Sequence, residues 1–260
     1  DADLVVNKGI SGTLYYLGIN YTKEIYQVED FRKAVAHALD RDEIILAAFE
    51  GEAYKTCQYV PAGTPGYKKE TDDYACGLYE FNPDLSNELL DGLGWLDTNG
   101  DGVREKDGVE LVFPIIYNTE EAIGRAAEVI QGQLSDIGIK LDLQPMEAAA
   151  QAEILVAKTQ DFFIRPYGLA DPVILSWMVV LPNRNSYYTE EAERLQQFAD
   201  SQLDNTERLE AVDALNRLLI DTSAWFPLWT PYSYVAYRAN VKGLMFDFQG
   251  YAIIHNAYLE

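Results

Sequence analysis

The chain has 260 residues, of which 48% are hydrophobic, a composition that supports a sizeable core and excludes a disordered chain. Its formal net charge of −22 argues against nucleic acid and anionic membranes as partners, because both would repel it. No run of about 18 apolar residues occurs, so the sequence predicts no membrane-spanning helix. The acidic charge is typical of a solvated surface; an acidic groove for cationic ligands is the alternative.

Helical and strand-like stretches alternate along the first third of the chain. A strand-like run over 15–20 precedes a helix with the apolar stripe Val28, Phe31, Val35 and Leu39. Asp40 is then predicted to cap a short helix, Glu43–Phe49. Asn82 followed by Pro83 marks the start of a further helix. This alternation predicts an α/β or α+β fold.

The middle of the chain predicts a strand–helix–strand unit. Leu111–Tyr117 reads as a buried strand, and Asn118 with Glu121 three residues later resembles a capping box. The helical stripe that follows is Ile123, Ala126, Ala127, Ile130, Leu134 and Ile137, after which Ile139–Leu143 is a second strand. Such a unit is expected to be parallel and right-handed.

The last part of the chain continues the alternation. A helix is predicted over Ala148–Lys158 and a strand over Phe162–Tyr167. A helical pair follows over Glu190–Leu203 and Glu207–Asp221, and an aromatic-rich strand over Trp225–Ala239.

Cys57 and Cys76 flank a loop rich in proline and glycine. In an exported protein they could close this loop as a disulfide. Two unpaired thiols are the alternative, since the sequence does not show how far apart the two Cα atoms lie.

Several short stretches resemble, in order and spacing, the family 5 extracellular solute-binding proteins. The first is LYYLGINYTKEIYQVEDFRKAVAHALDR at 14–41; the others are Val60–Tyr67, Phe81–Trp95, Gln133–Ile139, Tyr167–Pro172, Trp225–Leu228 and Asn240–Gly243. The family comprises the oligopeptide, dipeptide and nickel receptors of bacterial ABC importers. Each stretch is weak alone, but chance does not readily produce all of them in this order.

The resemblance implies an α/β fold of the periplasmic-binding-protein type II class: a mixed sheet flanked by helices that forms one lobe of a two-lobe receptor. Residues 1–22 would hold a crossover strand and 23–240 the C-terminal ligand-binding lobe. Residues 241–260 would return to an N-terminal lobe outside this chain, which is expected as a partner.

The function implied by the resemblance is capture of short peptides and their delivery to the membrane subunits of an ABC permease. The location would be extracytoplasmic, in a periplasm or lipid-anchored at the outer face of the cytoplasmic membrane. A receptor for an oligosaccharide or another non-peptide solute is the alternative. A carboxylate-dependent hydrolase is less favoured, because paired acids in so acidic a chain carry little information, and the protein is not expected to be an enzyme.

The predicted ligand site lies at the turn after the strand Phe162–Tyr167, because α/β proteins place ligand contacts where strands end. Peptide receptors of the family hold the α-amino group of the ligand with an Asp near this turn. The candidate residues are Arg165, Tyr167, Asp171, Trp177 and Tyr187. Alternatives remain for three of them: a structural Asp before a proline, a surface ion pair for the Arg, and core packing for the Trp.

A calcium loop is the one cofactor candidate. Asp97, Asn99 and Asp101 place oxygen donors at alternate positions, with Gly102 sixth in the pattern. Gly108 occupies the twelfth position, where such loops need a bidentate Glu. The alternative is a turn that joins a helix to the strand at 111–117.

Overall fold

The computed structural model describes residues 3–168, 171, 175, 187–247 and 250–260. Within these residues, helices lie against a seven-stranded mixed sheet and three short two-stranded pairs. The strands are β1 Leu4–Ile10, β2 Leu14–Gly18, β3 Ala53–Lys55, β4 Glu105–Lys106, β5 Val109–Glu110, β6 Val112–Tyr117, β7 Lys140–Pro145, β8 Phe162–Tyr167, β9 Phe226–Arg238, β10 Val241–Lys242, β11 Met245–Phe246, β12 Ala252–Ile253 and β13 Tyr258–Leu259.

The helices follow the predicted alternation closely. They are α1 Glu24–Gln27, α2 Glu29–His37, α3 Arg41–Phe49, α4 Lys69–Leu78, α5 Pro83–Gly92, α6 Glu121–Ser135, α7 Ala148–Ala157, α8 Glu190–Ser201 and α9 Asn205–Asp221. None of the helices in the described ranges is long and apolar enough to cross a membrane.

The large sheet has the strand order β1-β9-β2-β8-β6-β7, with β3 also paired to β9. Strands β8, β6 and β7 run parallel, whereas β1, β9 and β2 pair antiparallel with their neighbours. The predicted strand–helix–strand unit is confirmed as β6–α6–β7. Because parallel strands end at one edge of a sheet, the chain leaves β8, β6 and β7 on the same side. The mixed sheet flanked by helices confirms the predicted fold class.

The helix starts show which capping predictions were right. The side chain of Asp40 accepts hydrogen bonds from the backbone N–H of Asp42 and Glu43, and that of Asn82 accepts one from Leu85. Asn118 does not cap α6, so that prediction was wrong. Its Oδ1 accepts the N–H of Glu120 at 3.1 Å instead. This turn delays the helix, which begins at Glu121 without a side-chain cap.

Aromatic side chains fill both faces of the sheet. Phe162 and Phe163 are consecutive in β8 and so point to opposite faces. The ring of Phe162 meets Tyr26 and Phe113 at centroid distances of 5.4 and 5.7 Å. The ring of Phe163 meets Tyr16 at 5.6 Å. The sheet is therefore buried on both sides here, and ligand access is left to its edges.

Cys57 and Cys76 form a disulfide bond, with their Cα atoms 5.2 Å apart. This result decides between the two alternatives that the sequence left open. The bond ties the segment after β3 to α4.

Residues 241–260 form two small strand pairs, β10 with β13 and β11 with β12. Several of their apolar side chains are exposed, namely Met245, Tyr251, Ile254, Tyr258 and Leu259. That this segment returns to another lobe stays a prediction.

Candidate functional site

The candidate site is the edge of the sheet where the three parallel strands end. Tyr117 in β6 lies opposite Pro145 in β7, so these two strands end level with each other. Ile116 lies opposite Phe163, and β8 therefore continues past the end of β6 through Arg165–Tyr167. We call the residues that follow these ends the carboxyl edge: Asn118, Thr119, Glu120, Met146, Glu147 and Gly168.

Backbone and side-chain hydrogen bonds fix the shape of the carboxyl edge. The N–H of Met146 donates to the carbonyl oxygen of Tyr117 at 2.9 Å, which extends the pairing beyond the strands. The Nδ2 of Asn118 donates to Oε1 of Glu120 at 3.0 Å. The hydroxyl of Thr119 reaches Oε1 of Glu147 at 3.5 Å. The two loops therefore hold their carboxylates in place before any ligand binds.

Glu120 and Glu147 give the carboxyl edge a negative charge. Both are exposed, and within the part of the chain that the structure describes neither forms an ion pair. An ammonium or guanidinium group of a ligand could therefore pair with them without displacing a cation of the protein. Sequence analysis missed both residues, although each follows directly after a parallel strand, where ligand contacts are common.

Tyr15 forms an aromatic wall beside these acids. Its ring is stacked on Trp229 with centroids 5.2 Å apart and planes 9° from parallel, and Phe49 packs against the same indole at 5.1 Å. Burial, and next the charge of Glu120, raise the pKa of the Tyr15 hydroxyl. The phenol thus stays neutral, with its ring held rigidly at the start of β2.

Two predicted site residues, Arg165 and Tyr167, lie in β8 just below the carboxyl edge. Tyr167 is buried, with 6% of its surface exposed, and its hydroxyl donates to the backbone carbonyl oxygen of Tyr59. Its ring meets Tyr16 edge-on at 5.3 Å. Arg165 is half-buried opposite Tyr16 and interacts within the protein. In this structure Tyr167 is therefore a core residue that packs on Tyr16, on the opposite face of β2 from Tyr15.

Asp171, the predicted partner of a ligand amine, forms an ion pair with Arg208 of α9. The pair is partly exposed, with 51% of the Asp171 side chain accessible. The carboxylate thus has a protein cation beside it, whereas Glu120 and Glu147 have none among the described residues. Trp177, another predicted wall residue, lies outside the described residues.

Tyr187 lies at the opposite end of β8 from the carboxyl edge. Its ring meets Tyr21 edge-on at 4.8 Å, and its hydroxyl lies 3.2 Å from that of Thr222. Tyr21 follows β2, whose last residue, Gly18, pairs with Phe163 near the start of β8. Asp171 pairs with Arg208 near the start of α9, whereas Thr222 follows the end of that helix, about 20 Å away at roughly 1.5 Å per residue. The structure therefore does not bring Tyr187 together with Asp171.

The candidate calcium loop is an exposed turn in which the carboxylates bind the backbone. Asp97 accepts the N–H of Gly100 at 2.7 Å and that of Gly102 at 3.0 Å. Asn99 and Asp101 accept the N–H groups two residues further along. These bonds have the geometry of the turn alternative. Calcium binding by Asp97, Asn99 and Asp101 stays a prediction.

The fold and the carboxyl edge together define one lobe of a type II periplasmic binding protein. The carboxyl edge of this lobe is exposed and polar. Residues 1–188 match the family described as Bacterial extracellular solute-binding proteins, family 5 Middle. The chain belongs to this family.

One relative of the chain matches it both in sequence and in structure. The chain is 25% identical over 247 residues to the oligopeptide-binding protein AppA of Bacillus subtilis, which covers 88% of the chain and 43% of that protein. The structure of AppA in complex with a nonapeptide superposes with a TM-score of 0.84 at 23% identity, over 99% of this chain and 53% of the other.

NikA from Brucella suis, solved in complex with Fe(III)-EDTA, superposes with a TM-score of 0.80 at 19% identity, over 99% of this chain and 57% of that one. The chain thus spans about half the length of the relatives it matches.

Proposed function

We propose that the chain is the C-terminal ligand-binding lobe of a receptor that captures short peptides outside the cytoplasm and delivers them to an ABC permease. The observation that carries the proposal is the match of nearly the whole chain to AppA, an oligopeptide-binding protein by name. Residues 1–22 would cross into the lobe, 23–240 form it, and 241–260 return to the N-terminal lobe of the same receptor.

In this proposal the carboxyl edge contacts the ligand. Glu120 and Glu147 would pair with the α-amino group or a basic side chain of a peptide, since charge-assisted hydrogen bonds are stronger than neutral ones. The rigid ring of Tyr15 would line the wall beside them. Arg165 in β8 and Asp171, which follows that strand, remain proposed contacts. The acidic pair favours cationic over anionic ligands.

Binding would act by closing the receptor around the peptide. A ligand that touches both lobes stabilises the closed form over the open one, and its differential affinity sets the size of the shift. The closed form would then dock on the permease. The protein performs no covalent chemistry in this proposal.

The test is mass spectrometry of the small molecules that co-purify with the full-length receptor from its native host. We expect a mixture of short peptides enriched in lysine or arginine, which then raise the melting temperature of the stripped protein and are recovered uncleaved. Co-purified oligosaccharides or metal chelates with no peptide would favour the non-peptide alternative. Release of products from glycoside or peptide substrates would contradict the receptor function.

A further inference from the structure

The disulfide has a buried carboxylate beside it. Asp72 precedes Cys76 by four residues in α4, so both side chains lie on one face of the helix, one turn apart. The Sγ atoms of Cys57 and Cys76 and a carboxylate oxygen of Asp72 all lie within 4.8 Å of one another. Among the His, Cys, Asp and Glu residues that the structure describes, this is the one group of three gathered so closely.

Hydrogen bonds orient Asp72 toward the sulfurs. Only 4% of its surface is exposed. Its Oδ1 accepts the N–H of Cys57 at 2.8 Å and that of Gln58 at 3.1 Å, and its Oδ2 accepts the hydroxyl of Tyr67 at 2.9 Å. Outer hydrogen bonds of this kind fix the direction of a metal ligand. A carboxylate has further lone pairs, so these bonds leave room for a cation.

Both cysteines line a cavity. The cavity has a volume of about 510 Å³, and its charged lining consists of Arg41 and Lys55 together with Asp40, Asp42 and Glu80. The thiolate is the form of a reduced cysteine that binds metals. The cavity also lets a reductant and a solvated ion reach the sulfurs.

We propose that Cys57, Cys76 and Asp72 bind one zinc ion when the disulfide is reduced. Two thiolates and one carboxylate are common zinc ligands, and a water molecule from the cavity would complete the tetrahedron. A phosphine or dithiol donates two electrons to break the S–S bond and is itself oxidised; each sulfur takes up one proton. Zinc then displaces both protons, so its affinity rises with pH.

Zinc and the disulfide would thus be alternative cross-links at one place. In the oxidised protein the S–S bond ties the segment after β3 to α4. In the reduced protein the ion would make the same tie, so the chain would keep this loop in place under reducing conditions. The inference rests on this cluster alone and is independent of the proposed function.

The experiment reduces the chain with a phosphine under anaerobic conditions, removes the reductant and titrates zinc. We expect one zinc per reduced chain by elemental analysis and none for the oxidised chain. Cobalt in place of zinc should give a thiolate-to-cobalt charge-transfer band. The variant Asp72→Asn should weaken zinc binding more than about tenfold, the lower end of the range for outer-shell partners. Asp73→Asn is the matched control, because Asp73 is exposed and pairs with Lys69.

If Asp72→Asn does not fold, X-ray absorption of the wild-type zinc complex identifies the ligand atoms around the ion directly. Two sulfur ligands at about 2.3 Å with oxygen or nitrogen completing the shell support it. The proposal is overturned if the reduced chain binds no zinc, if Cys57→Ser/Cys76→Ser binds it equally well, or if a folded Asp72→Asn retains the wild-type affinity.

Discussion

The two ends of the parallel strands differ in how they use polar side chains. At the end where β8 begins, Asn20 is buried and donates to the carbonyl oxygens of Lys158 and Gln160 at 2.9 and 3.0 Å. Nearby, the hydroxyl of Tyr26 donates to Asp161 at 2.9 Å. We call the region of Asn20, Tyr21, Tyr26, Arg32 and Asp161 the amino end. At the carboxyl edge, by contrast, Glu120 and Glu147 are exposed.

Arg32 shows this difference most clearly. Only 4% of the residue is exposed, and its guanidinium makes five hydrogen bonds to the carbonyl oxygens of Tyr26, Gln27, Thr222 and Ser223. These bonds link α1 to the end of α9. The comparison teaches that the polar groups that hold the fold together are buried and hydrogen-bonded, whereas those available to a ligand are exposed and have no ion-pair partner among the residues that the structure describes.

The largest expected effect is at Arg32. Arg32→Met leaves several buried carbonyl oxygens without donors, so the free energy of unfolding should fall by about 3–5 kcal/mol. Urea unfolding followed by circular dichroism measures the change. Lys33→Met is the control, because its pair with Glu29 is largely exposed and contributes less than about 1 kcal/mol. An equal fall in the free energy of unfolding for the two variants would contradict the claim that the buried polar groups of the amino end hold the fold together.

Close packing at the amino end predicts the next effect. A Cβ on Gly18 would lie 2.2 Å from the ring of Phe163, which has tightly packed neighbours. Gly18→Ala should therefore destabilise the chain by about 1–3 kcal/mol. Gly132→Ala in α6 meets nothing within 4 Å and should stabilise it by about 0.5–1 kcal/mol. Thermal unfolding of both variants checks that the two changes in stability have opposite signs. An unchanged stability of Gly18→Ala would contradict the close packing of Phe163 against Gly18.

The carboxyl edge should affect binding and leave stability almost unchanged. Glu120→Gln/Glu147→Gln should change the free energy of unfolding by less than about 0.5 kcal/mol. In the full-length receptor it should weaken the binding of a lysine-containing peptide by about tenfold, or about 1.4 kcal/mol. Isothermal titration calorimetry measures the affinity. Glu121→Gln is the control, since Glu121 is as exposed but pairs with Arg125; a similar loss there would indicate a general charge effect.

The buried carboxylate of Asp72 should make the free energy of unfolding depend on pH. Burial is the main cause that raises the pKa of Asp72 above its ordinary 3.8. Because the folded state holds this proton more tightly, Asp72 favours folding below about pH 3.8, and this contribution is lost as the pH rises through the raised pKa.

The stability of the variant Asp72→Asn should lack this dependence on pH. We expect this effect to be smaller than those at Arg32, at Gly18 and at the two carboxyl-edge acids. Urea unfolding of wild type and variant across this pH window measures it, with Asp73→Asn as the control for loss of a charge on α4. A constant difference between wild type and Asp72→Asn would contradict the assigned cause.

Local sequence signals predicted most elements but not how distant ones meet. The capping signals at Asp40 and Asn82 act within three residues, and the structure confirms both. Asn118 carried the same signal, but its turn with Glu120 took precedence. Sequence analysis proposed Asp171 and Tyr187 as members of one site, whereas Asp171 pairs with Arg208 near the start of α9 and Tyr187 contacts Thr222 just after its end.

The acids at Glu120 and Glu147 were within reach of sequence reasoning, since both follow parallel strands. Their meeting at one edge depends on the register of β6 with β7, which the sequence does not state. The disulfide likewise depended on a Cα distance that only the fold defines.

The most direct test of the central claim is hydrogen–deuterium exchange of the full-length receptor with and without bound peptide. If the carboxyl edge holds the ligand, peptide should slow exchange in 117–120 and 145–148, while the amino end around Tyr21 and Arg32 should exchange at the same rate in both states. Protection confined to the amino end, with none at the carboxyl edge, would contradict the account.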